Sequence, residues 1–386
     1  MPCRAPVALA AAAVAVAGCA SSQAEPQTPK EVVQMEEMRI TARRAEDGQY
    51  VFSSYDAEGL FEEATERLNQ GECEDAVAGY DRLVEEFPTS VHASPALYNA
   101  GLCLQELERP DESVARFERL VETMPESPDV AHAHFQLVKL YVELERWDEA
   151  IEASDWLLAR EDLSEDERLE AMARRAEAQL GAGALEAAER QTRSALSYYR
   201  TGSERGAVRD NSFAALANYV LAETMRRRAE AITIPSGGVE AQRPVLERRA
   251  QLILDAQREY FNTIGYKHAR WAAASGYRIG EMYDAFWHAI MNAPVPPPER
   301  EVSEDMMSMY REEYRLELAR LVKPLIRHSI RYWELTLMMV ERTGIDTHWT
   351  DRIREDLETA RERLLEQPPG EGGLRNAEPP STSPAS

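Results

Sequence analysis

The chain repeats itself, and that repetition limits the fold more than any other feature. Three segments superimpose, with Ala76, Ser113 and Ala150 standing 37 residues apart in turn. The first runs from Glu58 to Pro88 through Ala64, Gly71, Ala76, Tyr80 and Leu83. The second passes Leu97, Gly101, Ser113, Phe117, Leu120 and Pro125, and the third Phe135, Leu137, Tyr141, Trp147, Ala150 and Leu157. A looser fourth copy holds Ala176, Gly183, Ala188 and Ala195. Apolar positions recur at helical steps, so each unit reads as two amphipathic helices joined at a tight turn. Such a pair cannot bury its apolar face alone, and stacking on its neighbours is what stabilises it.

This pattern resembles the tetratricopeptide repeat. In that family one small residue midway along the first helix and another opening the second let the two helices cross closely. Ala64, Gly101 and Ala176 take the first role here, and Ala76, Ser113, Ala150 and Ala188 the second. Tyr80 and Phe117 match the aromatic plug between hairpins, while Pro88 and Pro125 end the second helix because proline cannot donate to the helical ladder. The third unit departs, with Val138 at the small position, Ser154 at the plug and Asp162 in place of proline. The resemblance spans about residues 57–200 and implies an all-α solenoid of stacked helical hairpins.

The same resemblance implies where a ligand would sit. Family contacts on the inner wall fall on Glu58, Phe61, Thr65 and Leu68, then Tyr98, Leu102, Gln105 and Glu106, then His132, Phe135, Lys139 and Glu143. Phe61, Tyr98 and Phe135 occupy equivalent places, so they are expected either to form an aromatic ladder facing a peptide or to be half-buried spacers between hairpins. The clamp that grips chaperone-tail carboxylates in some members is mostly missing. Phe61, Thr65 and Gln136 stand at several of its positions, and Asn99 alone matches.

A second helical region follows, over 201–367. Helices are expected at about Phe213–Glu230, Pro244–Ile264, Trp271–Met291, Glu304–Thr343 and Trp349–Gln367, with breaks at Pro235 to Gly238 and Pro294 to Pro298. Leu318, Leu321, Val322, Leu325, Ile326, Ile330, Trp333 and Leu337 recur at steps of three and four, which buries one face of the long helix, and Pro324 is expected to kink it. Residues 368–386, rich in Pro, Gly and Ser, read as a disordered tail.

At the other end Arg4 precedes an Ala/Val run from Ala5 to Ala17, shorter than the ~20 residues a spanning helix needs. It ends in Val16, Ala17, Gly18 and Cys19. This resembles a bacterial lipobox, which implies a signal peptide over 1–18, cleavage after Gly18 and lipidation of Cys19. Several acyl chains would anchor the protein stably where one would not. Ala20 follows the cysteine, and the absence of the aspartate that retains enteric lipoproteins in the inner membrane favours the outer membrane, facing the periplasm. Residues 19–55 are polar and read as a flexible tether, with a short extended piece around Tyr50 to Ser53. The repeats then occupy 56–200.

Sixty-eight acidic residues against 44 basic ones give a net charge of −24, which repels phosphate backbones and disfavours nucleic acid as a partner. It also disfavours docking on anionic lipid. Of four cysteines, Cys3 leaves with the signal and Cys19 takes lipid. Cys73 and Cys103 then either pair across successive hairpins or pack as small hydrophobes.

His132 and His134 are two apart on a helix and point away from each other, which argues against a shared metal ion. The aromatic cluster of Trp271, Tyr277, Tyr283, Phe286 and Trp287 reads as core between helices, and the acidic run from Glu161 to Glu167 as a solvated turn. No phosphate loop, nucleophile elbow, zinc spacing or HExxH motif occurs. The expectation is therefore a non-enzymatic scaffold with no cofactor and no small-molecule substrate, binding envelope proteins or peptides. Lipobox, tether and repeats together resemble envelope lipoproteins of tetratricopeptide type. These include lipoproteins of outer-membrane β-barrel assembly and of myxobacterial adventurous gliding, the latter resembled more. An accessory to a cell-wall enzyme is the competing reading.

Overall fold

The computed structural model describes residues 37–44, 49–298, 300–344 and 347–366. The signal, the lipobox at Cys19, most of the tether and the C-terminal tail lie outside the described residues. The chain divides into two units, Met1–Ala57 and Glu58–Ser386.

In the first unit two strands, β1 (Met38–Arg44) and β2 (Tyr50–Asp56), pair antiparallel in the register Met38↔Asp56 to Arg44↔Tyr50. This corrects the reading of a flexible tether here: the short extended piece around Tyr50 is one half of a hairpin. The signal for β1 was the alternation of Met38, Ile40 and Ala42 with Arg39, Thr41 and Arg43, a period of two.

Helices fill the rest of the described chain. They are α1 (Ala57–Asn69), α2 (Cys73–Glu86), α3 (Ala93–Glu106), α4 (Pro110–Thr123), α5 (Val130–Glu143), α6 (Trp147–Leu158), α7 (Glu165–Gly181) and α8 (Leu185–Glu204). After these come α9 (Ser212–Glu230), α10 (Val239–Gly265), α11 (Ala269–Met291), α12 (Glu304–Thr343) and α13 (His348–Glu366). The second helix of each early hairpin opens at Cys73, Pro110, Trp147 and Leu185, within a residue of the sequence period. Pro110 sits in the first helical turn, where its missing N–H costs nothing.

The period is also written in the backbone. Each of the four tight turns carries one residue in the left-handed region: Gly71 at φ 77°, Glu108 at 55°, Glu145 at 57° and Gly183 at 76°. Glycine takes this conformation without a Cβ clash, whereas the two glutamates take it at a cost.

Successive helices pack side by side, and from α5 onward alternate helices (α5, α7, α9, α11, α13) also touch, forming a continuous inner row. The repeat core is Tyr80, Leu83, Leu97, Leu104, Phe117, Leu120, Leu140 and Leu157, all fully or almost fully buried. The small residues do what the pattern requires. A Cβ on Gly101 would lie 2.6 Å from the Phe117 ring, and Ser113 Oγ donates to the Gly101 carbonyl at 2.7 Å. In the third unit, Ser154 stands where the plug belongs and its hydroxyl turns back to the Ala150 carbonyl at 2.7 Å. Trp147 instead fills the space against Gly181.

Three apolar clusters continue the stack, joining α7 to α9, α9 to α11 and α11 to α13. Tyr277, Tyr283, Phe286 and Trp287 are buried in them, with Trp271 at the margin, so this group is core. The α12 helix is continuous through Pro324 and buries Ile326 and Trp333 on one face. The acidic run forms the α6–α7 turn and the first turn of α7. There Ser164 and Glu167 make a reciprocal capping box, and Arg160 pairs with Asp162.

Candidate partner-binding groove

The first helix of each early hairpin carries the expected contact residues. On α1 these are Phe61, Thr65 and Leu68, on α3 Tyr98, Leu102 and Gln105, and on α5 His132, Phe135 and Lys139. His132 and Lys139 are exposed and the other seven half-buried.

Among the described residues Phe61, Tyr98 and Phe135 make no ring contact with one another, so they are not a continuous ladder. Phe61 leans on Tyr80 with centroids 5.7 Å apart and stacks on His92 at 5.2 Å. Tyr98 meets Phe117 edge-on at 5.5 Å and His132 at 6.4 Å. Phe61 and Tyr98 thus each rest on the plug of their own hairpin and reach toward the next, with part of their surface left to solvent.

Polar groups run beside the rings. Thr65 Oγ1 and the Tyr80 hydroxyl share a hydrogen bond of 3.0 Å, and Asn99 Nδ2 donates to that hydroxyl at 3.3 Å. Asn99, the single match to the carboxylate clamp, therefore already serves the plug. Gln105 Nε2 donates to Gln136 Oε1 at 3.1 Å, while Lys139 Nζ donates to Gln105 Oε1 at 3.0 Å. Sequence reasoning noted Gln136 only as a departure from the clamp. It is the partner that orients Gln105 across α3 and α5. Half-exposed rings beside amide groups suit an extended peptide, whose backbone needs both donors and acceptors.

Glu106 does not join the groove. It accepts from Cys73 Sγ at 3.1 Å, beside Cys103. Both cysteines are buried and free. Burial first, then the bonds to Glu106 and Cys103, pushes the Cys73 thiol up to about 12, and burial raises Cys103 as well. The two histidines diverge. His134 stacks on Trp156 with centroids 3.9 Å apart, and its Nδ1 is buried with no partner. Burial, and then Arg160, lowers its pKa to about 4. No group of metal-ligating side chains that could hold an ion occurs among the described residues.

A charged network that sequence reasoning missed lies at the junction of α9, α10 and α11. Buried Glu223 pairs with Arg226 at 2.8 Å and Arg278 at 3.4 Å, and accepts from the Tyr260 hydroxyl. Burial pushes the Glu223 carboxyl up, but the two guanidiniums outweigh it and hold the carboxyl below its ordinary range. The available signal was an acid and a base three apart, directly after the apolar run Ala214 to Ala222.

Residues 61–131 match the family model of the tetratricopeptide repeat. No curated protein matches the chain. Among solved structures, the chain is similar to a tetratricopeptide repeat protein from Parabacteroides merdae at 14% identity, covering 79% of this chain and 98% of that one, with a TM-score of 0.39. It is also similar to YrrB, described as a tetratricopeptide protein with an unusual peptide-binding site, at 19% identity, 55% and 92% coverage and a TM-score of 0.36. The Pseudomonas aeruginosa protein pilF follows at 14% identity, 59% and 92% coverage and a TM-score of 0.35. At such scores the likenesses carry no functional argument.

Proposed function

We propose that the protein is a lipid-anchored scaffold of the outer membrane, held through Cys19 and facing the periplasm, that binds an envelope protein in the groove of α1, α3 and α5. It acts by capture and positioning rather than by catalysis. The observation that carries the groove is the pair of half-exposed rings, Phe61 on α1 and Tyr98 on α3, with the Gln105–Gln136 and Lys139–Gln105 bonds spanning α3 and α5. The complex we favour is a gliding-type envelope machinery. Outer-membrane β-barrel assembly and service to a cell-wall enzyme are the alternatives that one experiment separates.

That experiment is affinity capture of the full-length protein from detergent-solubilised membranes, with mass spectrometry of what comes with it. Motor components support the favoured complex, barrel proteins or wall hydrolases the other two. Changing Phe61, Tyr98 and Phe135 together to alanine should reduce the captured set about tenfold with the helical circular dichroism unchanged. Undiminished capture rejects the groove. Separately, Cys19→Ala should move the protein out of the membrane pellet; continued sedimentation would reject the anchor.

A further inference from the structure

Farther along the inner row, on α9, α11 and α13, aromatic rings meet across helices, which Phe61, Tyr98 and Phe135 do not do with one another. Tyr219 and Trp271 have centroids 5.3 Å apart, and Tyr277 and Trp349 5.0 Å. Arg278 joins the two pairs. Its Nε donates to the Tyr219 hydroxyl at 3.3 Å, and its guanidinium lies over the Trp349 ring at 5.2 Å. Two more guanidiniums rest on the same rings, Arg270 over Trp271 at 5.0 Å and Arg352 over Tyr277 at 5.3 Å. A guanidinium stacked on a ring is held in place while its N–H edge stays free to donate.

The acids around these rings are already engaged. Glu281 pairs with Arg278 at 2.5 Å, Asp356 accepts from the Tyr277 hydroxyl at 3.0 Å, and Asp351 pairs with Arg354 at 2.7 Å. Glu177 on α7 feels the charge of Arg270 but makes its ion pair with Arg174, at 4.0 Å, and burial pushes its carboxyl up. Arg270 and Arg352 are both exposed and have no ion-pair partner among the described residues. Both act on His348, whose pKa is lowered by burial and then by these two charges. Like charges are therefore gathered on one open stretch of wall in a chain of net charge −24, and an anion relieves their crowding. A polymer charged at every unit would meet the repulsion of the whole chain. A peptide with a few carboxylates between apolar side chains meets only this wall, which is as much ring as cation. We propose that the wall of α11 and α13 binds an acidic peptide segment of a partner protein, with its carboxylates on the Arg270 and Arg352 forks and its apolar side chains on Trp271 and Trp349. This surface is separate from the groove of α1, α3 and α5 and goes beyond the function proposed above.

The test is fluorescence anisotropy of the full-length protein with a labelled peptide that alternates glutamate and leucine, compared with the same peptide carrying glutamine in place of glutamate. The glutamate peptide should bind about tenfold more tightly, and added salt should narrow the difference. Arg270→Gln and Arg352→Gln should each weaken its binding about tenfold, and because both side chains are exposed the fold bears the change. Arg352→Lys keeps the charge but loses the planar fork and the stacking, so it should recover only part of that loss. Arg354→Gln removes one charge from the same helix, away from the rings, and should leave the affinity within about twofold. Equal binding of the two peptides, binding of neither, or an equal loss in Arg354→Gln overturns the proposal. Inorganic polyphosphate that binds more tightly than the glutamate peptide overturns the choice of a peptide.

Discussion

Where Phe117 lies against Gly101, a single absent methyl group sets how closely two helices approach. Alanine at 101 would place its Cβ 2.6 Å from the ring, inside any real contact distance, and Phe117 is completely buried and cannot swing away. Gly101→Ala should therefore destabilise the protein by about 1–3 kcal/mol in urea denaturation, and the loss should shrink when Phe117→Leu is added. Additive losses would show that the two residues do not compete for this space. His134 makes a second prediction. Its folded pKa of about 4 lies below the ~6.5 of an unfolded histidine. Between those values the unfolded chain takes up a proton that the folded one refuses. Stability is therefore full above ~6.5 and is lost as pH falls toward 4. The urea midpoint should fall over that window more steeply in the parent than in His134→Phe, and identical slopes would remove His134 from the acid response.

Helices are set here by their ends as much as by their faces. The left-handed residue between paired helices is glycine in the first and fourth hairpins and glutamate in the second and third. Nothing about Glu108 or Glu145 in the sequence announces this conformation; only their place in the period does. Because the strain outweighs the entropy that glycine loses on folding, Glu108→Gly and Glu145→Gly should each stabilise the protein, by about 0.5 kcal/mol. Thermal unfolding would show it, and a lowered midpoint would mean that the glutamate side chains hold the turns together. The β1–β2 hairpin illustrates the opposite case. Its alternation was legible, but a polar segment opening on Ser, Gln and Pro, with no period sustained along its length, read as tether.

Across the whole molecule, each hairpin touches mainly its neighbours, so stability is distributed along the stack rather than held in one core. The middle is the best-buried part, with Ala214 to Thr224 of α9 and Ala272 to Tyr277 of α11 almost wholly inaccessible. Hydrogen exchange should be slowest in those two stretches and fastest in α1 and α13, the first and last helices of the stack. Uniform protection from end to end would instead indicate a single cooperative unit.

By itself the sequence determined the number and kind of elements in the helical part. The helix Glu304–Thr343 and the 37-residue spacing of Ala76, Ser113 and Ala150 near the start of successive second helices follow from period and apolar spacing, which are properties of a single chain segment. It also marked Ala64, Gly101, Ser113, Tyr80 and Phe117 as packing residues, because close crossing demands small groups opposite large ones. Only the tertiary structure decided what the inner-wall residues do once neighbours are present. It turned Asn99 toward Tyr80, drew Glu106 to Cys73, set Gln105 on Gln136, and gathered Glu223, Arg226, Tyr260 and Arg278 into one buried group. The physical reason is range: helical periodicity is fixed by contacts three and four residues apart, whereas a polar side chain chooses among partners that only the stacking of distant segments brings within reach.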